Sequence, residues 1–161
     1  MKKACGSAAN FKGVTTLLSV GLIEEDHARL GDILKGCQFD LHPACEWKVT
    51  ACSTLVSART ALRKAGVPIV VCESDLRPGT WKDVLEELRT LPDPPFLIVT
   101  SRFADERLWA EALNLGAYDV LAQPFDVMEV TRIVNLGWLR WQNRRGIHGE
   151  YREEMKMASG M

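Results

Sequence analysis

The chain has 161 residues, 47% of them hydrophobic and 25% charged, with 20 Lys and Arg against 21 Asp and Glu and a formal net charge of -1. That is the balance of one globular domain with a single core, and it excludes a strongly basic nucleic-acid binder or an acidic disordered chain as a whole-chain description. Its 5 cysteines are an odd number without a Cys-x-x-Cys pair, which excludes ribbon-type metal sites and thioredoxin-type redox chemistry.

Apolar runs alternate with helical patterns along the chain. Thr16 to Ile23 (TLLSVGLI) reads as a first strand, and Asp26 to Lys35 as a helix closed by Gly36. A Pro-containing connection from Cys37 to Glu46 leads to a short second strand, Trp47 to Ala51. Ser53 is placed to cap a helix that turns Leu55, Ala58 (or Val56), Leu62 and Ala65 to one face and ends at Gly66. Pro68 to Cys72 (PIVVC) is apolar without alternation, the mark of a strand buried on both faces of a parallel sheet, and it makes Cys72 a small core residue. Thr80-x-x-Asp83 is a capping box for a helix with Trp81, Val84, Leu85 and Leu88 on one side, stopped by Pro92, Pro94 and Pro95. Phe96 to Val99 is the fourth strand. Ala104 to Leu115 is the fourth helix, with Leu108, Ala112 and Leu115 inward and Gly116 as its C-cap. Tyr118 to Ala122 is the fifth strand. Asp126-x-x-Glu129 then opens a last helix with the stripe Val127, Val130, Val134, Trp138 and Trp141.

Five strands interleaved with five helices predict one doubly wound α/β domain with a five-stranded parallel sheet. The expected organisation is a flexible N-terminal tail over 1–13, the domain over 14–145 and a flexible C-terminal tail over 146–161. The uncharged stretch Gly13 to Ile23 is too short to span a bilayer, and the start Met1-Lys2-Lys3 is not followed by an apolar signal core, so a cytoplasmic protein without membrane contact is expected.

In such a sheet ligands gather at the carboxyl ends of the strands. There the sequence places Glu24, Glu25 and Asp26 after the first strand, Glu73 and Asp75 after the third, Thr100 and Ser101 on the fourth, and Gln123-Pro124-Phe125 after the fifth. Carboxylates at adjacent strand ends suit a hard divalent cation. Asp26 by itself reads as a helix N-terminal acid favoured by the macrodipole. His27 reads as a solvated helix residue. No Ser-His-Asp arrangement and no Gly-rich phosphate loop can be assembled, so no enzymatic activity is expected.

The segments LIEEDHARL, PIVVCESDLRPGTW, FLIVTS and GAYDVLAQPF, in this order, resemble the receiver domain of two-component response regulators over roughly residues 15 to 142. The resemblance implies a flavodoxin-like sheet of order 2-1-3-4-5, and with only sixteen residues after Arg145 a stand-alone receiver is expected. The resemblance puts an acidic magnesium-binding pair at Glu24 and Glu25 and the phosphoacceptor position at Glu73, with Asp75 as the alternative. The phosphoryl-contact positions become Thr100 and Gln123, Pro124 the cis-proline, and Val120 the aromatic switch position. It also implies a histidine kinase or a downstream effector as partner.

Several of these positions depart from the pattern. Glu in place of Asp lengthens both the acidic pair and the acceptor by a methylene, and magnesium and in-line transfer both tolerate little displacement. Gln123 in place of Lys removes the cation that would neutralise developing phosphoryl charge. The expectation is a pseudo-receiver working by protein contact, at most with a weak magnesium site at Glu24, Glu25 and Glu73. A genuine phosphoacceptor using Asp75 or Glu73 is the first alternative, and a flavodoxin-like small-ligand or metal-binding protein the second. Without a local Lys the three glutamates would bind a cation, keep one proton, or let Glu73 turn toward Thr100 and Gln123. The last helix carries Arg132, Arg140, Arg144 and Arg145 against Glu129. Trp138, Trp141, Arg140 and Arg144 are expected to form a homodimer interface, the arginines being too few for nucleic acid.

Overall fold

The computed structural model describes residues 14–36, 46–64 and 66–160, the side chains of 147–153 excepted. Its elements in chain order are β1 (Val14–Val20), α1 (Glu24–Gly36), β2 (Glu46–Cys52), α2 (Leu55–Lys64), β3 (Ile69–Glu73), α3 (Trp81–Arg89), β4 (Phe96–Ser101), α4 (Glu106–Leu115), β5 (Asp119–Ala122) and α5 (Val127–Ser159). All strand pairs are parallel and the sheet order is β2-β1-β3-β4-β5. The sequence expectation of a doubly wound 2-1-3-4-5 sheet is met.

The unalternating strand runs have a direct cause. Leu18, Val20, Val70, Cys72, Leu97, Val99 and Val120 pack with α2, α3 and α4 on one face. Their neighbours Leu17, Ile69, Val71, Ile98 and Leu121 pack with α1 and α5 on the other. Both faces are covered, so both sets are apolar. The Thr80–Asp83 capping box forms as read, with the Thr80 amide donating to Asp83 Oδ2 at 2.8 Å. Gly116 closes α4 in the left-handed conformation.

Several boundaries differ from the sequence expectation. β1 stops at Val20 instead of running to Ile23, because Gly21 turns the chain at φ 75° and its amide donates to Cys52 O. Thr54, not Ser53, caps α2, its Oγ1 accepting from the Ser57 amide at 3.2 Å. On α2 Ala58 faces the core and Val56 is exposed. Leu115 and Val127, expected inward, are exposed, while Ile133 joins the buried stripe of α5. α5 does not end near residue 145: the helix continues to Ser159, where the sequence reading placed a tail. Residues 1–13, the Cys37–Cys45 part of the connection with His42, and Ala65 lie outside the described residues. Among the described residues no helix is long and apolar enough to cross a membrane.

Candidate functional site

The carboxyl ends of β3, β4 and β5 bring Glu73 and Gln123 together. Register pairs Glu73 with Thr100, and the Ser74 amide donates to Thr100 O at 2.8 Å, so β3 carries its pairing just past Glu73. The Gln123 amide donates to Ser101 O at 3.0 Å, extending β5 in the same way. Two polar side chains are thereby set side by side, and Gln123 Nε2 donates to Glu73 Oε2 at 3.0 Å. Gln123 is buried and Glu73 half-buried. The Gln123–Pro124 peptide is cis.

Glu73 is held above its ordinary carboxylate range. Burial is the main cause, and the negative charges of Asp26 and Asp75 add to it. The Gln123 hydrogen bond and the Arg102 guanidinium pull the other way.

The acidic pair is not where the sequence placed it. Glu24 and Glu25 sit exposed on the first turn of α1, beyond the turn that Gly21 makes, and the charges acting on Glu73 come from other residues. The positions that directly follow β1 are Gly21 and Leu22. A Cβ built on Gly21 would lie 3.5 Å from the Glu73 Cβ and 2.7 Å from Leu76 Cδ1. A hydrocarbon side chain and a bare backbone therefore stand where a cation would need oxygen ligands. Among the described residues no group of three or more His, Cys, Asp and Glu is placed to hold a metal ion. The magnesium that the resemblance implies does not fit the residues present.

The other expected positions divide. Thr100 is fully buried and its Oγ1 donates to Leu121 O at 2.9 Å, so the hydroxyl is committed to the sheet and not to Glu73. Val120 is an apolar core residue. Asp75 is exposed, 3.5 Å from Arg77 on its own loop. Trp138 and Trp141, expected at an interface, are buried at 7% and 4% exposure. Arg140 lies over the Tyr118 ring, and Arg144 lies over Phe96 and donates to Pro94 O. All four residues are engaged within the chain, Trp138 packing with the sheet and Trp141 lying beside Gly66.

Sequence reasoning passed over Arg102 and read Asp26 only as a helix N-terminal acid. The Asp26 side chain is only 16% exposed, and its Oδ2 lies 3.5 Å from Arg102 Nη2, linking the start of α1 to the loop after β4. Gly21 was the available signal: a glycine inside an apolar run marks a strand end, and counting from it moves Glu24 and Glu25 into the helix.

No family model matches the chain. A curated relative, the "Regulatory protein VirG" of Agrobacterium tumefaciens (strain 15955), is 29% identical over 124 residues, covering 77% of this chain. The chain spans 44% of that relative's length. Among solved structures, the signal receiver domain of an HD domain-containing protein from Pseudomonas fluorescens Pf-5 superposes with a TM-score of 0.69 at 19% identity, covering 83% of this chain and 93% of that one. The chemotaxis response regulator CheY4 of Vibrio cholerae gives 0.62 at 12% identity, covering 78% and 99%. A two-component response regulator from Clostridium difficile gives 0.63 at 14%, covering 78% and 97%. With its 2-1-3-4-5 sheet and a helix layer on each face, the chain has the fold of a response-regulator receiver domain.

Proposed function

We propose that the chain is a receiver-type domain of two-component signalling that acts by protein–protein contact, with phosphoryl transfer lost. The observation that carries this reading is the Gln123–Glu73 hydrogen bond. A neutral amide occupies the carboxylate where transfer would need a cation to neutralise developing charge. The Gly21 and Leu22 positions supply no carboxylate oxygens, which weakens any claim on a cation as the second source of positive charge. Glu73, one methylene longer than an aspartate at the same strand end, also sets its carboxylate out of place for in-line transfer.

The partner is a histidine kinase or a downstream effector, and assembly as a homodimer through α5 belongs to the same reading. The two tryptophans are core residues, so the contact surface falls to the exposed parts of α5, including Leu136 and the end bearing Met155 and Met157. Asp75 has no feature favouring phosphorylation beyond its place on the loop.

Incubation of the full chain with acetyl phosphate and magnesium, followed by intact-mass analysis and peptide mapping, tests the proposal. No adduct is expected under conditions that fully modify a working receiver. A hydroxylamine-labile phosphoryl group on Glu73 or Asp75 would overturn it.

A further inference from the structure

α5 changes character along its length. Before Gly146 it carries four arginines against Glu129, and after Gly146 three glutamates against Arg152 and Lys156. The first part packs on the sheet through Val130, Ile133, Val134 and Trp138 and leaves Arg132, Leu136 and Arg140 exposed. The second part continues as helix to Ser159, with Glu154, Met155, Lys156 and Met157 all exposed.

Helical spacing puts the exposed features of both parts on one side. Leu136, Arg140, Glu154 and Met157 fall within a stripe about 100° wide at 3.6 residues per turn. Leu136, 45% exposed, and Met157, 81% exposed, stand at its two ends. Arg140 and Glu154 each lie one turn inside them. In chain order the stripe therefore reads apolar, basic, acidic, apolar, and it is complementary to itself only when reversed. Among the described residues Glu154 has no ion-pair partner, and Arg140 has only the Tyr118 ring beneath it.

We infer that α5 pairs antiparallel with α5 of a second copy, Arg140 opposite Glu154 and Leu136 against Met157, each pair formed twice. This rests on the homodimer reading above and gives it a direction and a register. The two-fold axis passes midway between Arg140 and Glu154, at position 147. Among the described residues the last contacts of α5 with its own domain are those of Arg144 and Arg145, so each domain stays on its own side of the axis. The overlap from Leu136 to Met157 runs for about 33 Å at 1.5 Å per residue. Helices paired in the same direction would instead set arginine on arginine and glutamate on glutamate. Charges beside an apolar seam decide the orientation of paired helices in this way.

Sedimentation of the full chain and of three charge variants is the test. The parent is expected to form a dimer. Arg140→Glu and Glu154→Arg each set like charges opposite one another twice per dimer, and each should raise the dissociation constant about five- to thirtyfold. The double variant, Arg140→Glu with Glu154→Arg, rebuilds both opposite pairs and should return the constant to within about threefold of the parent. Circular dichroism checks that the variants, all at exposed positions, keep the fold. A monomeric parent would overturn the homodimer reading and this inference with it. A dimeric parent whose constant neither single variant moves would leave the homodimer standing and overturn the antiparallel pairing. A double variant as weak as the single ones would overturn that pairing too.

Discussion

Gln123 Nε2 donates to Glu73 Oε2 at 3.0 Å, a bond that reaches from the end of β5 across β4 to the end of β3. It satisfies one oxygen of a carboxylate that burial and two neighbouring acids hold above its ordinary pKa of 4.5. Between that value and the raised one, the folded chain keeps a proton that the unfolded chain has already released. Stability therefore falls as pH rises through this window, and the ionised Glu73 is a cost at neutral pH. Glu73→Gln removes the titration while leaving a hydrogen-bonding side chain. Thermal melts should show the variant more stable than the parent at neutral pH, the two converging as pH falls toward 4.5 and below. A variant less stable than the parent at neutral pH would mean that the charge-assisted bond outweighs desolvation.

Gly21 gives a second prediction. Its φ of 75° is unfavourable for an L side chain, and a Cβ there would crowd Leu76 Cδ1 at 2.7 Å. Gly21→Ala should cost about 1–3 kcal/mol, read as a lower urea midpoint with an unchanged slope. Gly31→Ala, on a helix with space around it, should instead stabilise the chain by about 0.5–1 kcal/mol. Equal effects at the two positions would contradict the difference between their surroundings.

These two glycines also show how far the sequence could be read. The sheet order and the five α/β units were legible because each strand is a short apolar run and most helices carry a cap signal, as with Thr80 and Asp83. Glu73 and Gln123 were legible because one ends and the other directly follows a strand whose end was read to within one residue. The acidic pair was not, because TLLSVGLI continues apolar through Leu22 and Ile23, and only the Gly21 turn separates strand from helix. The tryptophans of α5 were misassigned for a related reason. Helical spacing shows that Trp138 and Trp141 share a side with Val134, but not how far along the helix the rest of the domain covers that side. The Asp26–Arg102 pair joins residues 76 positions apart and had no local signal.

If Trp138 is core, its removal should act on stability and not on association. Trp138→Ala should cost about 3–5 kcal/mol, the range for deleting a buried aromatic side chain. Arg140→Ala, on an exposed residue with only the Tyr118 ring beneath it, should stay within about 1 kcal/mol. Denaturant titrations of both variants check the contrast. Comparable small losses would return Trp138 to the surface.

The length of α5 separates folding from assembly. Its 33 residues reach about 50 Å at 1.5 Å per residue. The buried stripe from Val130 ends at Trp141, and residues 154–160 are all exposed. A chain ending at Gly146 keeps every core contact named above, so its melting temperature should lie within about 2 °C of the full chain, as for other surface changes. A helical extension of this length has little stability of its own in water. If it pairs with a second copy, light scattering should give a dimer for the full chain and a monomer for the shortened one. A monomer in both cases would remove the homodimer from the proposed function. A large drop in melting temperature would show instead that the end of α5 packs on its own domain.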